Sequence, residues 1–545
     1  MLLDVPYFPD ISAMFAGFFE SFNWGALGWL SIESYLLLWV CIFWVTLGLV
    51  KTVDSSGLDV AHHNLTAKYA ILIVLFSALS IGYFRGFYGE NSMYLLNDMF
   101  VMDNWVNWSQ LGVVVLTIIF VFLVDSNSFT RNSYYYELLL FGLTTATLLT
   151  FLIATWNFIT FYLVLEGISL IFYTIATRTF VYGGVESGLK YYSLGALASV
   201  LLLSGLLSIF AAVGSLDFSV VGLAIKGMLV SGESALLLIV GLTLVMISVF
   251  FKLSAFPAHV WTPDVYEGTT LEVLWIFAVL AKYALFIVFM RMLVLFFMPA
   301  LSGDANFWLT TSCLGSLIIG AVGAFLATSI KRFLAYTAIN QMGFLFIGLS
   351  TASFDGIKSV LAYLYIYMLA NVLFFGVMTL LQSKKLLTGE LTLRSLKDIT
   401  LIKKAPIEMG LVAIALLSLS GLPPLAGFIG KYSLWVGLLN KYLHEAPSGL
   451  HENLLYILIV SVVLSLLSTF YYLRLIKMAL FDIMRSASAS TVEVRNLGEI
   501  TMPVAIVAAL GALTVGWVFM LPELDVIWTR LTLSLSASLT NLGSI

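Results

Sequence analysis

Long apolar runs, broken by short polar stretches, recur from one end of the chain to the other. A run of about 20 apolar residues spans a bilayer as a helix. On that count the pattern predicts about fourteen spans: Leu30–Val50, Tyr69–Phe84, Leu111–Val124, Tyr136–Thr155, Phe158–Thr177, Lys190–Val213, Ala235–Phe251 with its continuation, Val273–Met298, Phe307–Thr328, Phe333–Ser350, Ile357–Leu381, Ile407–Asn440, Leu454–Leu480 and Thr501–Leu521. Two of them are interrupted. The seventh meets Pro257 and the twelfth meets Pro423-Pro424, and proline removes a backbone donor and clashes with the preceding turn. Irregular backbone at membrane depth survives only inside protein or beside a wet cavity. The two breaks lie five spans apart, which is how transporters built on inverted repeats look in sequence. The fold expected is therefore an all-α polytopic membrane protein with two inverted five-helix repeats, each holding one broken helix. The divisions are residues 1–29 as an interfacial segment, 30–135 as helices one to three, 136–300 and 301–482 as the repeats, and 483–545 as the last helix and tail.

Composition agrees: 61% of the 545 residues are hydrophobic and 10% charged. The net charge of -4 and the lack of a basic patch leave no case for nucleic acid. Cys41 and Cys313 are too few for an iron–sulfur cluster. The N-terminal MLLDVPYFPD, with no Lys or Arg before Lys51, reads as neither a cleavable signal nor an Arg-rich transit peptide. Odd-numbered loops hold 16 Lys and Arg residues and the other side, tails included, holds 6. By the positive-inside rule the odd loops face the cytoplasm or matrix, and both termini the opposite side.

Four basic residues remain, all inside apolar spans: Lys190, Lys252, Lys282 and Lys431. A charge at membrane depth costs about 3 kcal/mol even on lenient scales, so such residues mark function or snorkel from a helix end. Glu166 lies mid-span in FITFYLVLEGISLIFYTIAT. Its carboxylate needs a cation or a proton, and Lys190 on the next helix is the expected partner, shared with Glu186 one turn away. Glu33 reads as an interface residue or a buried acid. His259, in the first break, reads equally as a proton carrier or a backbone cap. Lysine suits proton transfer because desolvation penalises its charged form. The row Glu166, Lys190, Lys252, Lys282, Lys431 reads as a proton relay, bridged by hydroxyls such as Ser169 and by water.

Four stretches carry a resemblance: FKLSAFPAHVWTPDVYEG from Phe251, SGLKYYSLGALAS from Ser187, IKRFLAYTAINQMGFLFIGLS from Ile330 and SLSGLPPLAGFIGKYSLW from Ser418. Over roughly Tyr136 to Leu480 the chain resembles subunit 2 (subunit N in bacteria) of respiratory complex I, more than its antiporter-like paralogues. The resemblance implies proton transfer at Glu166, Lys190, Lys252, Lys282 and Lys431, with His259, Glu186 and Glu33 as accessories. It also implies no metal or cofactor on this chain, with flavin, iron–sulfur clusters and quinone on partner subunits. The expected partners are other membrane-arm subunits and lipids such as cardiolipin. The expected site is the mitochondrial inner membrane, termini in the intermembrane space, or else a bacterial plasma membrane. Two alternatives stay open: a cation/proton antiporter subunit, or a scaffold without its own proton path.

Overall fold

A computed structural model describes residues 32–53, 60–88, 93–124, 134–178, 183–231, 236–297, 304–387, 396, 399, 406–444, 450–481, 529, 532 and 533. Its elements run α1 (Ile32–Val53), α2 (Val60–Tyr88), β1 (Met93–Leu95), β2 (Phe100–Met102), α3 (Asn104–Leu123), α4 (Tyr134–Ala154), α5 (Phe158–Thr177), α6 (Gly184–Val213), α7 (Phe218–Ser231), α8 (Leu236–Leu253) and α9 (Trp261–Gly268). Then come α10 (Leu271–Phe297), α11 (Asp304–Leu326), α12 (Ile330–Ser350), α13 (Phe354–Leu387), α14 (Pro406–Ser420), α15 (Ala426–His444) and α16 (Leu450–Leu480). Ten of these helices are long and apolar enough to cross a membrane, and α1, α2, α7 and α14 hold shorter apolar stretches. Thirteen of the fourteen expected spans fall on these helices. The fourteenth, Thr501–Leu521, lies outside the described residues, as do residues 1–29 and most of the basic stretch 384–404.

The broken helices are α8/α9 and α14/α15. Each is the fourth member of a run of five, α4–α5–α6–α8/α9–α10 and α11–α12–α13–α14/α15–α16. In each run the third helix packs on both halves of the broken one, α6 on α8 and α9, and α13 on α14 and α15. Five crossings are an odd number, so the second run starts from the opposite side of the membrane and is inverted. Burial follows from sequence. α10 is apolar apart from Glu272, Lys282 and Arg291 and is buried along nearly its whole length, whereas α6 and α16 present leucine and valine outward.

Interhelical contact in a bilayer depends on small residues that let backbones approach. α6 meets α8 through Gly205 and Gly241, where a Cβ on either would lie 2.8–2.9 Å from the other's carbonyl oxygen. Gly241→Val should push α8 off α6 and sharply lower the amount of intact protein recovered from membranes. Normal recovery on a native gel would refute this contact's importance.

Two parts of the structure were not anticipated. The acidic loop 90–103 contains a two-stranded hairpin, Met93 paired with Met102 and Leu95 with Phe100. Its end is tied to the helices by Met99, whose carbonyl accepts from Trp156 N at 2.9 Å. The second is α7, between the third and fourth members of the first run. Among the described residues, two basic residues counted with the loops are also buried. Arg291 lies within α10 and Lys331 at the start of α12. Without them the loop tally is fifteen against five, so the orientation bias is unchanged.

Candidate functional site: two helix breaks with buried lysines

Both breaks have the same backbone construction. At the end of α8, Ser254 is left-handed (φ 60°), Ser254 N donates to Phe251 O at 3.1 Å and Ala255 N to Phe250 O at 2.9 Å. At the end of α14, Gly421 is left-handed (φ 79°), Gly421 N donates to Ser418 O at 3.1 Å and Leu422 N to Leu417 O at 3.4 Å. This is the Schellman ending, which uses two of the last carbonyls and leaves the following two free. The Phe256–Pro257 and Pro423–Pro424 peptides are both cis. A freed carbonyl pair is the negative end of a helix and attracts cations.

At the first break the cations are Lys252, in the last turn of α8, and Lys282 on α10. Lys282 Nζ donates to Ser254 Oγ at 2.7 Å. A π-helical turn, Ile276–Ala281, immediately precedes Lys282. It shifts the angular phase of everything after it, so Lys282 reaches the break from a helix whose regular count would aim it elsewhere. Lys252 Nζ is buried and, among the described residues, has no hydrogen-bond partner. It borders a cavity of ≈ 20 Å³ walled by Ser169, Phe172, Tyr191, Trp261 and Phe277, large enough for one water. Trp261 closes one side, stacked on Tyr191 (centroids 4.7 Å apart) with Nε1 donating to Phe251 O at 2.8 Å.

Glu166 stands on α5, half-buried, within electrostatic range of Lys252. Ser169, which also borders the cavity, has its Oγ 3.3 Å from Glu166 Oε2. The expected Glu166–Lys190 ion pair is not formed. Lys190 instead pairs with Glu186 at 2.8 Å, as the i, i+4 spacing allowed, and with Asp264 of α9 at 3.4 Å. Asp264 and Glu267 in turn take Arg332 at 3.7 and 2.5 Å. The reason is geometric: Lys190 is two turns into α6, at the end of the bundle where α9 stops, whereas Glu166 is mid-helix. Asp264 was not singled out from sequence, although its place in the break stretch is the signal that would have found it. Lys331 completes this end by donating to the carbonyls of Thr269 and Glu267, which caps α9.

Lys431 occupies the second break alone. Nζ donates to Ser420 O at 2.8 Å and sits 4.4 Å from the centre of the Phe344 ring. Among the described residues it has no ion pair. His259 stacks on Phe256 (5.9 Å); its main-chain carbonyl, not its ring, starts α9 by accepting from Thr262 N. Its Nδ1 is buried and the ring lies against the Pro257 backbone, the placement a backbone cap would take. Glu33 lies apart from both breaks. It is buried on α1 and accepts from Gln110, whose amide also reaches Thr150 O at 3.1 Å. Among the described residues no cluster of His, Cys, Asp and Glu is arranged to hold a metal.

A helical membrane protein of two five-helix runs, each broken in its fourth helix beside a buried lysine, has the architecture of the antiporter-like subunits of ion-pumping complexes. Residues 155–445 match the model of the family described as NADH:quinone oxidoreductase/Mrp antiporter, TM. NADH-quinone oxidoreductase subunit N of Desulforamulus reducens is 31% identical over 430 residues, covering 77% of this chain and 84% of that one. The subunit N of Polaromonas naphthalenivorans is 30% identical over 503 residues, 89% and 95% of the two chains. In structure, a chain of respiratory complex I from Thermus thermophilus superposes with a TM-score of 0.69 at 24% identity, covering 91% of this chain and 98% of that one. A chain of the Mrp complex from Dietzia sp. gives 0.73 at 18% identity, covering 94% and 99%. This chain belongs to the subunit N family of NADH-quinone oxidoreductases.

Proposed function

We propose that the chain is a core membrane-arm subunit of a proton-pumping NADH:quinone oxidoreductase. It moves protons through Glu166, Lys190, Lys252, Lys282 and Lys431, driven by redox chemistry in other subunits. The observation that carries this reading is Lys252: a buried ammonium that has no hydrogen-bond partner among the described residues, beside a water-sized cavity and within range of Glu166. A structural lysine would be paired. One that is not fully paired can exchange its proton with whatever reaches it. Lys282, on the hydroxyl of Ser254, is the next group, and Lys431 serves the second repeat. Lys190, in the ion-pair network near the start of α6, is the uptake group. His259, Glu186 and Glu33 are accessories. Flavin, iron–sulfur clusters and quinone belong to partner subunits. The repeats are 136–300 and 301–482.

Glu166 adds a requirement about partners. It is half-exposed midway along an apolar helix, and a carboxylate does not face lipid. In the assembly this face of α5 is covered by another membrane subunit that presents a donor or cation. The finer location follows the same reading: the mitochondrial inner membrane, termini in the intermembrane space, with a bacterial plasma membrane as the alternative.

Purification of the native assembly tests the reading. Flavin and iron–sulfur signals should copurify, and Glu166→Ala should lower coupled proton translocation about a hundredfold or more, the range for loss of one proton-transfer group. A complex with no redox centre would instead favour a cation/proton antiporter, the reading to which the Mrp likeness points. Normal pumping by Glu166→Ala, together with Lys282→Arg, would leave only a scaffold.

A further inference from the structure

The second break leaves two carbonyls free, Leu419 and Ser420, and a different residue takes each. Lys431 Nζ takes Ser420 O at 2.8 Å, and Gln341 Nε2 of α12 takes Leu419 O at 3.1 Å. Gln341 is 1% exposed. Its amide is oriented by its other contacts: Oε1 accepts from the Tyr363 hydroxyl of α13, and Nε2 also reaches Tyr472 Oη of α16 at 3.3 Å. Tyr363 packs closely beside Lys431 as well, since a Cβ on the adjacent Gly430 would lie 2.6 Å from its ring. Three helices thus converge, through one neutral amide, on the carbonyl next to the lysine's own acceptor.

We propose that Gln341 is a positioning residue for Lys431: by occupying the Leu419 carbonyl it limits the ammonium to one carbonyl acceptor. The physical reason lies in the donor count. An ammonium has three N–H donors, and two adjacent free carbonyls at a helix C-terminus would both turn to it. Each added acceptor stabilises the charged form. With Leu419 occupied, Lys431 keeps the Ser420 carbonyl and the face of Phe344, and remains able to give its proton up. This inference rests on the relay reading of Lys431.

The test uses the assembled complex reconstituted in vesicles, with intact complex measured on a native gel and turnover and proton translocation expressed per complex. Gln341→Met keeps the length and removes all three side-chain hydrogen bonds. Gln341→His restores one donor and one acceptor on a neutral ring. The expected result is normal assembly, about tenfold slower coupled turnover in Gln341→Met, the size of one added hydrogen bond to a charged group, and recovery in Gln341→His. Normal turnover per complex in Gln341→Met overturns the proposal, as does equal slowing in both variants, which would mean packing alone. If Gln341→Met fails to assemble, Tyr363→Phe decides: it frees the amide to turn, so slowed turnover supports the proposal and normal turnover overturns it. Lys431→Met is the control on the underlying reading. Normal pumping there refutes the relay through Lys431, whereas a slow Lys431→Met with a normal Gln341→Met refutes only the role of Gln341.

Discussion

Lys252→Met should abolish coupled proton translocation while the complex still assembles. The ammonium borders a water-sized cavity and makes no hydrogen bond among the described residues. Its removal therefore breaks no ion pair and leaves no orphaned partner, and methionine fills much of the same volume beside Phe172 and Trp261. A loss of about a hundredfold or more is the range for removing an essential proton carrier. Lys252→Arg separates two roles of the charge. Arginine keeps the cation but cannot release its proton. If the lysine acts by exchange, Lys252→Arg pumps no better than Lys252→Met. If only its field matters to Glu166 and its neighbours, arginine restores pumping and the exchange role fails.

The broken helices, the inverted runs and three of the four lysines expected inside spans (Lys252, Lys282 and Lys431, but not the half-exposed Lys190) were legible because each violates a rule of membrane sequences: proline within an apolar run, or a cation where none is cheap. What escaped was whatever obeys the rules locally. Gln341 is an uncharged residue in a polar-flecked helix, and only the fold sets it against Leu419 O. Lys331 looked like a loop lysine because it stands at a helix start, yet it faces inward onto the end of α9. The Glu166–Lys190 pairing failed for the opposite reason. Neighbouring helices and opposite charges suggested contact, but depth along a helix decides it, and Glu186 and Asp264 stand at the depth of Lys190. The Ser254 contact of Lys282 depends on a π-turn that regular helical counting does not register. Arg291 was assigned to a loop only because it nears the end of its apolar run, although a cation among FIVFMRMLVLFF is by composition as anomalous as Lys282.

Arg291 carries the largest stability effect expected here. It is 2% exposed, donates to Asp103 Oδ2 at 2.5 Å and lies over the Trp156 ring at 5.5 Å. Asp103 has two duties, since its Oδ1 also accepts from Val106 N at 2.8 Å and caps α3. Asp103→Asn preserves the cap and removes only the charge. It leaves a buried guanidinium uncompensated, which costs about 3–5 kcal/mol. The thermal midpoint of the complex should fall accordingly, and the hairpin that ends at Asp103 should become accessible to protease. Arg291→Met in the same chain removes the stranded charge and fills its volume with apolar atoms. The double variant should therefore recover to within about 1 kcal/mol of the parent, because replacing both members of a buried pair is nearly neutral. A double variant no better than Asp103→Asn would mean that the two effects add, and that the pair is not what holds the hairpin to α10. Function should follow the same order. Arg291 and Lys282 share one helix segment, Lys282–Met292. Letting its far end drift should loosen the Lys282–Ser254 contact, so the double variant should also recover the turnover that Asp103→Asn loses.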